Sequence, residues 1–165
     1  MSFFEKADYK IPSTSNYMKL IEGKNKFRII SSAVTGFEYW NIKNKPVRNA
    51  ENFEDMPEDI KLDANGNPTK VKHFWAFLVW NFNDKRAQIL ELTQKSVMDA
   101  MKTYIDDPDW GDPSKFDFTI TRKGSGLDTE YQVAVSPHSP IPAEAKNAPR
   151  VDLTKLFSSD DPFKV

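Results

Sequence analysis

The sequence predicts an all-β fold with one or two helices, a small and partly open Greek-key barrel of five to six strands. Three observations carry this expectation. Short runs rich in aromatic and β-branched residues recur along the chain, with turn signals between them. Helical periodicity is confined to one late segment, residues 94–105. There is no internal repeat and no regular strand–helix alternation, which argues against a doubly wound α/β fold.

Residues 1–16 read as a polar N-terminal arm, with Phe3, Phe4, Tyr9 and the nearby Tyr17 available to pin it to the body. Residues 24–32 read as the first strand and residues 36–42 as the second. Residues 43–69 form an irregular insertion, basic first (Lys43, Lys45, Arg48) and acidic later (Glu51, Glu54, Asp55, Glu58, Asp59). It ends in a turn, because Asn65-Gly66 tolerates positive φ and Pro68 stops regular pairing. Residues 70–82 are a long strand, and residues 86–92 return as its hairpin partner. Thr93 stands at the N-cap of the helix, whose apolar face is Val97, Met101, Tyr104 and Ile105. An Asp-rich loop follows. Residues 116–122 and 129–135 form the last hairpin, with a glycine-containing tip at 123–128. Pro137, Pro140, Pro142 and Pro149 then exclude a compact element. The expected organisation is an arm at 1–16, a domain at 17–137 and a flexible tail at 138–165, with a short structured piece near 151–157. This element order, with the helix late, is that of an OB-fold barrel.

At 165 residues there is room for one domain and one moderate core. Cysteine is absent, which removes disulfides, thiolate zinc sites and thiol catalysis together. No apolar run approaches the ~20 residues of a membrane span. The first residues lack the apolar stretch of a signal peptide, so the expected location is a cytoplasm. The net charge of -1 excludes a generic polycation, but the distribution is uneven. Residues 1–50 hold nine basic and four acidic side chains, and residues 64–98 five and two. The segments 51–63 and 99–117 are acidic, six to one and six to two. Basic blocks thus coincide with strands, which allows a basic face on a neutral molecule.

The strand at 70–82 is the most informative segment. Alternation sends Val71, His73, Trp75, Phe77 and Val79 to one face and Lys72, Phe74, Ala76, Leu78, Trp80 and Phe82 to the other. Both faces are apolar and aromatic, so the second either packs under another segment or forms a platform for flat ligands. Lys70 and Lys72 at its start, and Lys85 and Arg86 just past its end, favour a flat ligand with an anionic backbone, such as single-stranded nucleic acid.

Several runs, in order and at sensible spacing, resemble bacteriophage single-stranded DNA-binding proteins of the OB-fold type. They are Lys72-His73-Phe74-Trp75-Ala76-Phe77, the junction Ile89-Leu90-Glu91-Leu92-Thr93-Gln94-Lys95, the loop Asp109-Trp110-Gly111-Asp112-Pro113 and the hairpin at 120–131. The segments Tyr17-Met18-Lys19-Leu20 and Phe37-Glu38-Tyr39-Trp40 resemble the opening of those proteins. The likeness spans residues 17–137. It implies coating of single strands during phage DNA replication, recombination or repair in the host cytoplasm, without catalytic activity. Some such proteins hold zinc through Cys and His. With no Cys and only His73 and His138, no metal or other cofactor is carried over.

Binding of this kind needs cations for phosphates and ring faces for bases. Tyr39, Trp40, Trp75 and Trp80 are candidates for stacking. Trp75 and Trp80 have opposite parity, so one is core; Trp75 is assigned to the ligand, with His73 beside it. Arg28, Lys43, Lys45, Arg48, Lys72, Arg122 and Lys123 are the phosphate candidates. Phe27, Phe77, Ile89, Phe118 and Ile120 are assigned to the core. The Asp106–Asp112 cluster fails the EF-hand pattern, because its glycine is misplaced and Phe118 stands where a closing Glu is needed. The end of the chain, with Asp160-Asp161-Pro162-Phe163, resembles partner-docking tips of bacterial single-stranded DNA-binding proteins. It reads either as a dock for phage replication or recombination proteins or as a disordered terminus. Competing readings are a phage scaffold or adaptor using the barrel to bind protein, RNA binding by the same barrel, and a nuclease.

Overall fold

The structure, a computed structural model, describes residues 2–6, 9 and 11–165. Strands β1 (Gly23–Ile29) and β2 (Val34–Trp40) are two halves of one bent strand. Both pair antiparallel with the long strand β4 (Lys72–Asn81). Ile29 faces Val79 and Val34 faces Ala76, so five steps on one side match three on the other. The surplus forms a bulge that bends the strand. The broken ladder is repaired by Ser31, whose Oγ accepts from the Leu78 amide at 2.8 Å, while the Ile30 amide donates to the Leu78 carbonyl.

Strand β5 (Arg86–Leu92) covers the other edge of β4, and β6 (Asp117–Lys123) pairs with β1 and with β7 (Glu130–Val135). A strand not expected from the sequence, β3 (Pro46–Asn49), pairs with β2 inside the insertion. The sheet order is β3-β2-β4-β1-β6-β7, with β5 on β4. All seven strands are antiparallel to their partners, and no pairing among the described residues joins β5 to β7. The far edge of β5 is instead capped by the arm. The Ile89 amide donates to the Asn16 carbonyl and the Met18 amide to the Ile89 carbonyl, both at 2.8 Å. Phe3, Phe4 and Tyr9 stack on each other and stay exposed rather than pinning the arm.

Helix α1 (Lys95–Ile105) has Gln94, not Thr93, at its N-cap, and that side chain makes no capping bond. Val97, Met98 and Met101 pack on the inner face of the sheet with Phe27, Phe77 and Phe118. The outer face of β4 is where the structure departs most from the expectation. The segment expected to be a flexible tail lies across it in short 3-10 turns at Ala143–Asn147 and Leu153–Ser158. Ala145, Leu153 and Leu156 are buried against Phe74, Ala76, Leu78 and Trp80. Prolines forbid a ladder there but not packing. Gly36 makes room for it: a Cβ at that position would stand 2.5 Å from the Asn49 carbonyl oxygen and 2.9 Å from the Phe157 ring. No helix among the described residues is long and apolar enough to cross a membrane.

Candidate nucleic-acid interface

Beyond the reach of the C-terminal segment, the outer face of β2 and β4 opens into a cleft of about 750 Å³. Trp40, Leu62, Lys61, Lys70, Lys72 and Thr93 are among its lining residues. The end of β2 supplies Trp40, the one exposed tryptophan of the four, at 47%. A small hairpin at residues 60–69 makes the wall. It is held to β2 by the Lys61 amide donating to the Trp40 carbonyl at 2.8 Å, and it turns where Asp63 Oδ1 accepts from the amides of Asn65 and Asn67. Gly66 takes the positive φ of 80° that this turn requires. Leu62 and Lys61 are thereby set beside the indole. Asn44, with φ 58°, lines the same cleft, and Asn41 Oδ1 accepts from the amides of Lys43 and Lys45 on either side of it. Both lysines are exposed at the rim.

Across from Lys72 on β2 stands Glu38, buried and hydrogen-bonded within a cluster of Glu91 and Arg48. Arg48 Nη2 donates to Glu91 Oε2 at 2.8 Å and its Nε to Glu38 Oε2 at 3.2 Å, with the guanidinium 5.9 Å from the Phe74 ring centre. Burial, and then the hydrogen bond and charge of Glu91, push the Glu38 carboxyl up to about 8 against the pull of Arg48. Glu38 therefore holds its proton more tightly than an ordinary glutamate.

Of the expected contact residues, Trp40, Lys43, Lys45 and Lys72 gather at this cleft. Tyr39 borders the cleft as well but is tied up inside the fold, and the others stand elsewhere. Arg28 is 1% exposed; its Nε donates to Asp117 at 2.6 Å and its Nη atoms to Ser139 and the Ser114 carbonyl. That guanidinium is consumed inside the fold and is corrected from a phosphate contact to a structural one. Tyr39 is buried, donates to Asp59 Oδ1 at 2.8 Å and meets Phe53 edge-on, so its ring is not a free stacking face. Burial, with Asp59 adding to it, raises its hydroxyl above the usual tyrosine range. Arg48 is held by two carboxylates as described. Trp75 is half-buried against the inner core, and Trp80 lies under the C-terminal segment. His73 is exposed, 4.9 Å from the Phe37 ring, but alternation puts it on the face opposite Lys72. Arg122 donates to the Leu20 carbonyl at 2.8 Å, while Lys123 is exposed across from Glu130 at the far hairpin.

Lys61 was not anticipated at the cleft, because it is the single cation of an acidic block; the bridge between Asn41 and Ile60 and its own amide bond to the Trp40 carbonyl carry it there. Among the described residues no group of three His, Cys, Asp or Glu side chains is placed to hold a metal ion. The cleft offers one exposed ring and three lysines, with Asp63 as an acid on the same lining, a set suited to stacking a base and neutralising phosphates.

No protein-family model matches the chain. No solved structure matches it. Over 139 aligned residues it is 25% identical to a protein of Escherichia phage T5 described as "Probable ssDNA-binding protein", an alignment that takes in 71% of this chain and 53% of that one. The chain thus spans about half the length of the curated relative it matches and is similar to it at a distance.

Proposed function

We propose that this protein binds single-stranded DNA without regard to sequence, holding the strand in the Trp40 cleft, and that it serves phage DNA replication, recombination or repair in the host cytoplasm. The single observation that carries the reading is an exposed indole surrounded by Lys61, Lys70 and Lys72, with Lys43 and Lys45 at the rim. The name borne by the phage T5 relative points the same way. The chain order of the elements supports an OB barrel. A bent β1–β2, a β4–β5 hairpin, a helix and a β6–β7 hairpin follow in the sequence that fold requires, with the insertion after β2 and the tip after β6 as its ligand loops. The cleft supplies binding groups rather than reacting ones, so the role is that of a binding protein, not an enzyme.

Stacking on Trp40 is worth ~1–3 kcal/mol per base, and each lysine that meets a phosphate adds to the salt dependence. Titration with oligo-dT at several salt concentrations tests this. The expected result is quenching of tryptophan fluorescence that weakens as salt rises and is lost in Trp40→Ala. Affinity indifferent to salt, or full binding and quenching by Trp40→Ala, would overturn it.

A further inference from the structure

We infer that a second surface for the same kind of ligand lies at the opposite end of the bent strand, in the groove that β1, β6 and β7 form with the chain just past β4. It rests on the proposed function only in taking the same class of ligand. Alternation along β1 buries Asn25 and Phe27 and turns Lys24 and Lys26 outward. Register sets Thr121 beside Lys24 and Thr119 beside Lys26. The groove they share encloses about 570 Å³.

Phe82 supplies its ring. The Phe82 amide donates to the Lys26 carbonyl at 3.1 Å, which ties the strand end to β1 and brings the ring 4.9 Å from the Lys26 ammonium. Asn83 fixes the next residue by donating to the Lys24 carbonyl at 3.3 Å. The nearby acid, Asp117, is 3.6 Å from Lys26 but already bound to Arg28 at 2.6 Å, so the lysines keep net positive character. Lys123 extends the row along β6, facing Glu130.

The composition of the groove chooses its occupant. Two ammonium groups, threonine hydroxyls and one ring suit a phosphodiester chain with a base against the ring. A protein partner would need a larger buried anchor pocket than Phe82 and Ala134 provide. The groove is also separate from the Trp40 cleft. Lys26 and Trp40 lie at opposite halves of β1–β2, up to ~45 Å apart at the rise of a strand. Between them the C-terminal segment covers Phe74, Ala76, Leu78 and Trp80. A short oligonucleotide therefore occupies one site, and a long one reaches both.

The test compares oligo-dT of about 6 and about 30 nucleotides in a salt series, using the full chain, Lys24→Ala/Lys26→Ala and Lys61→Ala/Lys70→Ala. Both lysines of the groove are exposed, and the Arg28–Asp117 pair stays intact without them. For Lys24→Ala/Lys26→Ala the expected result is unchanged tryptophan quenching by the short oligomer. Affinity for the long one should fall about tenfold at low salt, with a salt slope smaller by about 1.4. Photocrosslinking of a halogenated oligo-dT should mark Phe82. Long-oligomer affinity and slope equal to the unaltered protein would overturn the inference. Loss of long-oligomer binding in this variant, with Lys61→Ala/Lys70→Ala and Trp40→Ala both inert, would uphold the groove and reject the cleft.

Discussion

The outer face of β4 divides into a covered middle and an open end. In the middle, Phe74, Ala76, Leu78 and Trp80 are sealed by Leu153, Leu156 and Ala145, and the arginines nearby, Arg28 and Arg48, are bound to Asp117, Glu38 and Glu91. At the end, Trp40 is bare and Lys61, Lys70 and Lys72 line an open cleft. Both regions are aromatic and cationic, so residue type does not separate them. What separates them is the chain that arrives from elsewhere. Arginine, with a planar fork that matches carboxylates, was drawn into buried pairs; lysine, strongly hydrated, stayed at the surface.

The sharpest way to break this comparison is Arg28→Ala. It leaves Asp117 with only the longer, half-exposed contact to Lys26, and loss of one partner of a buried pair costs ~3–5 kcal/mol. Urea denaturation should show that loss, and any weakening of DNA binding should track the unfolded fraction. A stably folded Arg28→Ala protein with selectively lost affinity would return Arg28 to the ligand. Gly36→Ala comes next. Its methyl group meets the Asn49 carbonyl and the Phe157 ring, an overpacking expected to cost ~1–3 kcal/mol. Because Phe157 belongs to the covering segment, limited proteolysis should cut residues 150–163 faster while leaving β4 protected. Unaltered proteolysis would mean that the cover does not depend on this seat.

The sequence carried most of the strand plan because strand signals are local. The run at 86–92 is rich in apolar residues and returns as β5 within the same bounds, and the two-faced pattern at 70–82 correctly demanded a cover or a ligand on each side. It did not say which, since the cover is some seventy residues downstream in a proline-rich stretch without periodicity. The same distance hid the fates of Arg28 and Tyr39. Their partners Asp117 and Asp59 are far along the chain, and a basic or aromatic residue on a strand looks the same whether or not a carboxylate waits for it. The exposure of Trp40 and Lys72 was legible because an adjacent turn and a strand start fix it locally.

The Glu38 site sharpens the comparison through pH. Its ordinary value is 4.5 and its folded value about 8, raised by burial and by Glu91. The folded protein thus holds this proton more tightly than the unfolded chain. The stabilising contribution is full below the ordinary value and is lost as pH rises toward 8. Melting temperature should therefore fall between pH 5 and 8, and Glu38→Gln should flatten that part of the profile. A Glu38→Gln profile parallel to the unaltered one would show that Glu38 is already ionised in the folded protein.

The smallest effects belong to single cleft lysines. Each phosphate contact on a single strand contributes about 0.7 to the salt slope, so Lys61→Ala, Lys70→Ala and Lys72→Ala should each lower it by about that much. Their stabilities should stay within ~0.5 kcal/mol of the unaltered protein, because exposed side chains away from packing change little. Lys102 on α1 is the control. It is exposed like the others, but it is paired with Asp106 four residues on and stands on a helix that packs on β7, at the other end of the sheet order from β3. Lys102→Ala should leave the slope where it is. If Lys102→Ala lowers it as much as Lys61→Ala does, the DNA is responding to the total charge of the molecule, and the open end of β4 has no special claim on it.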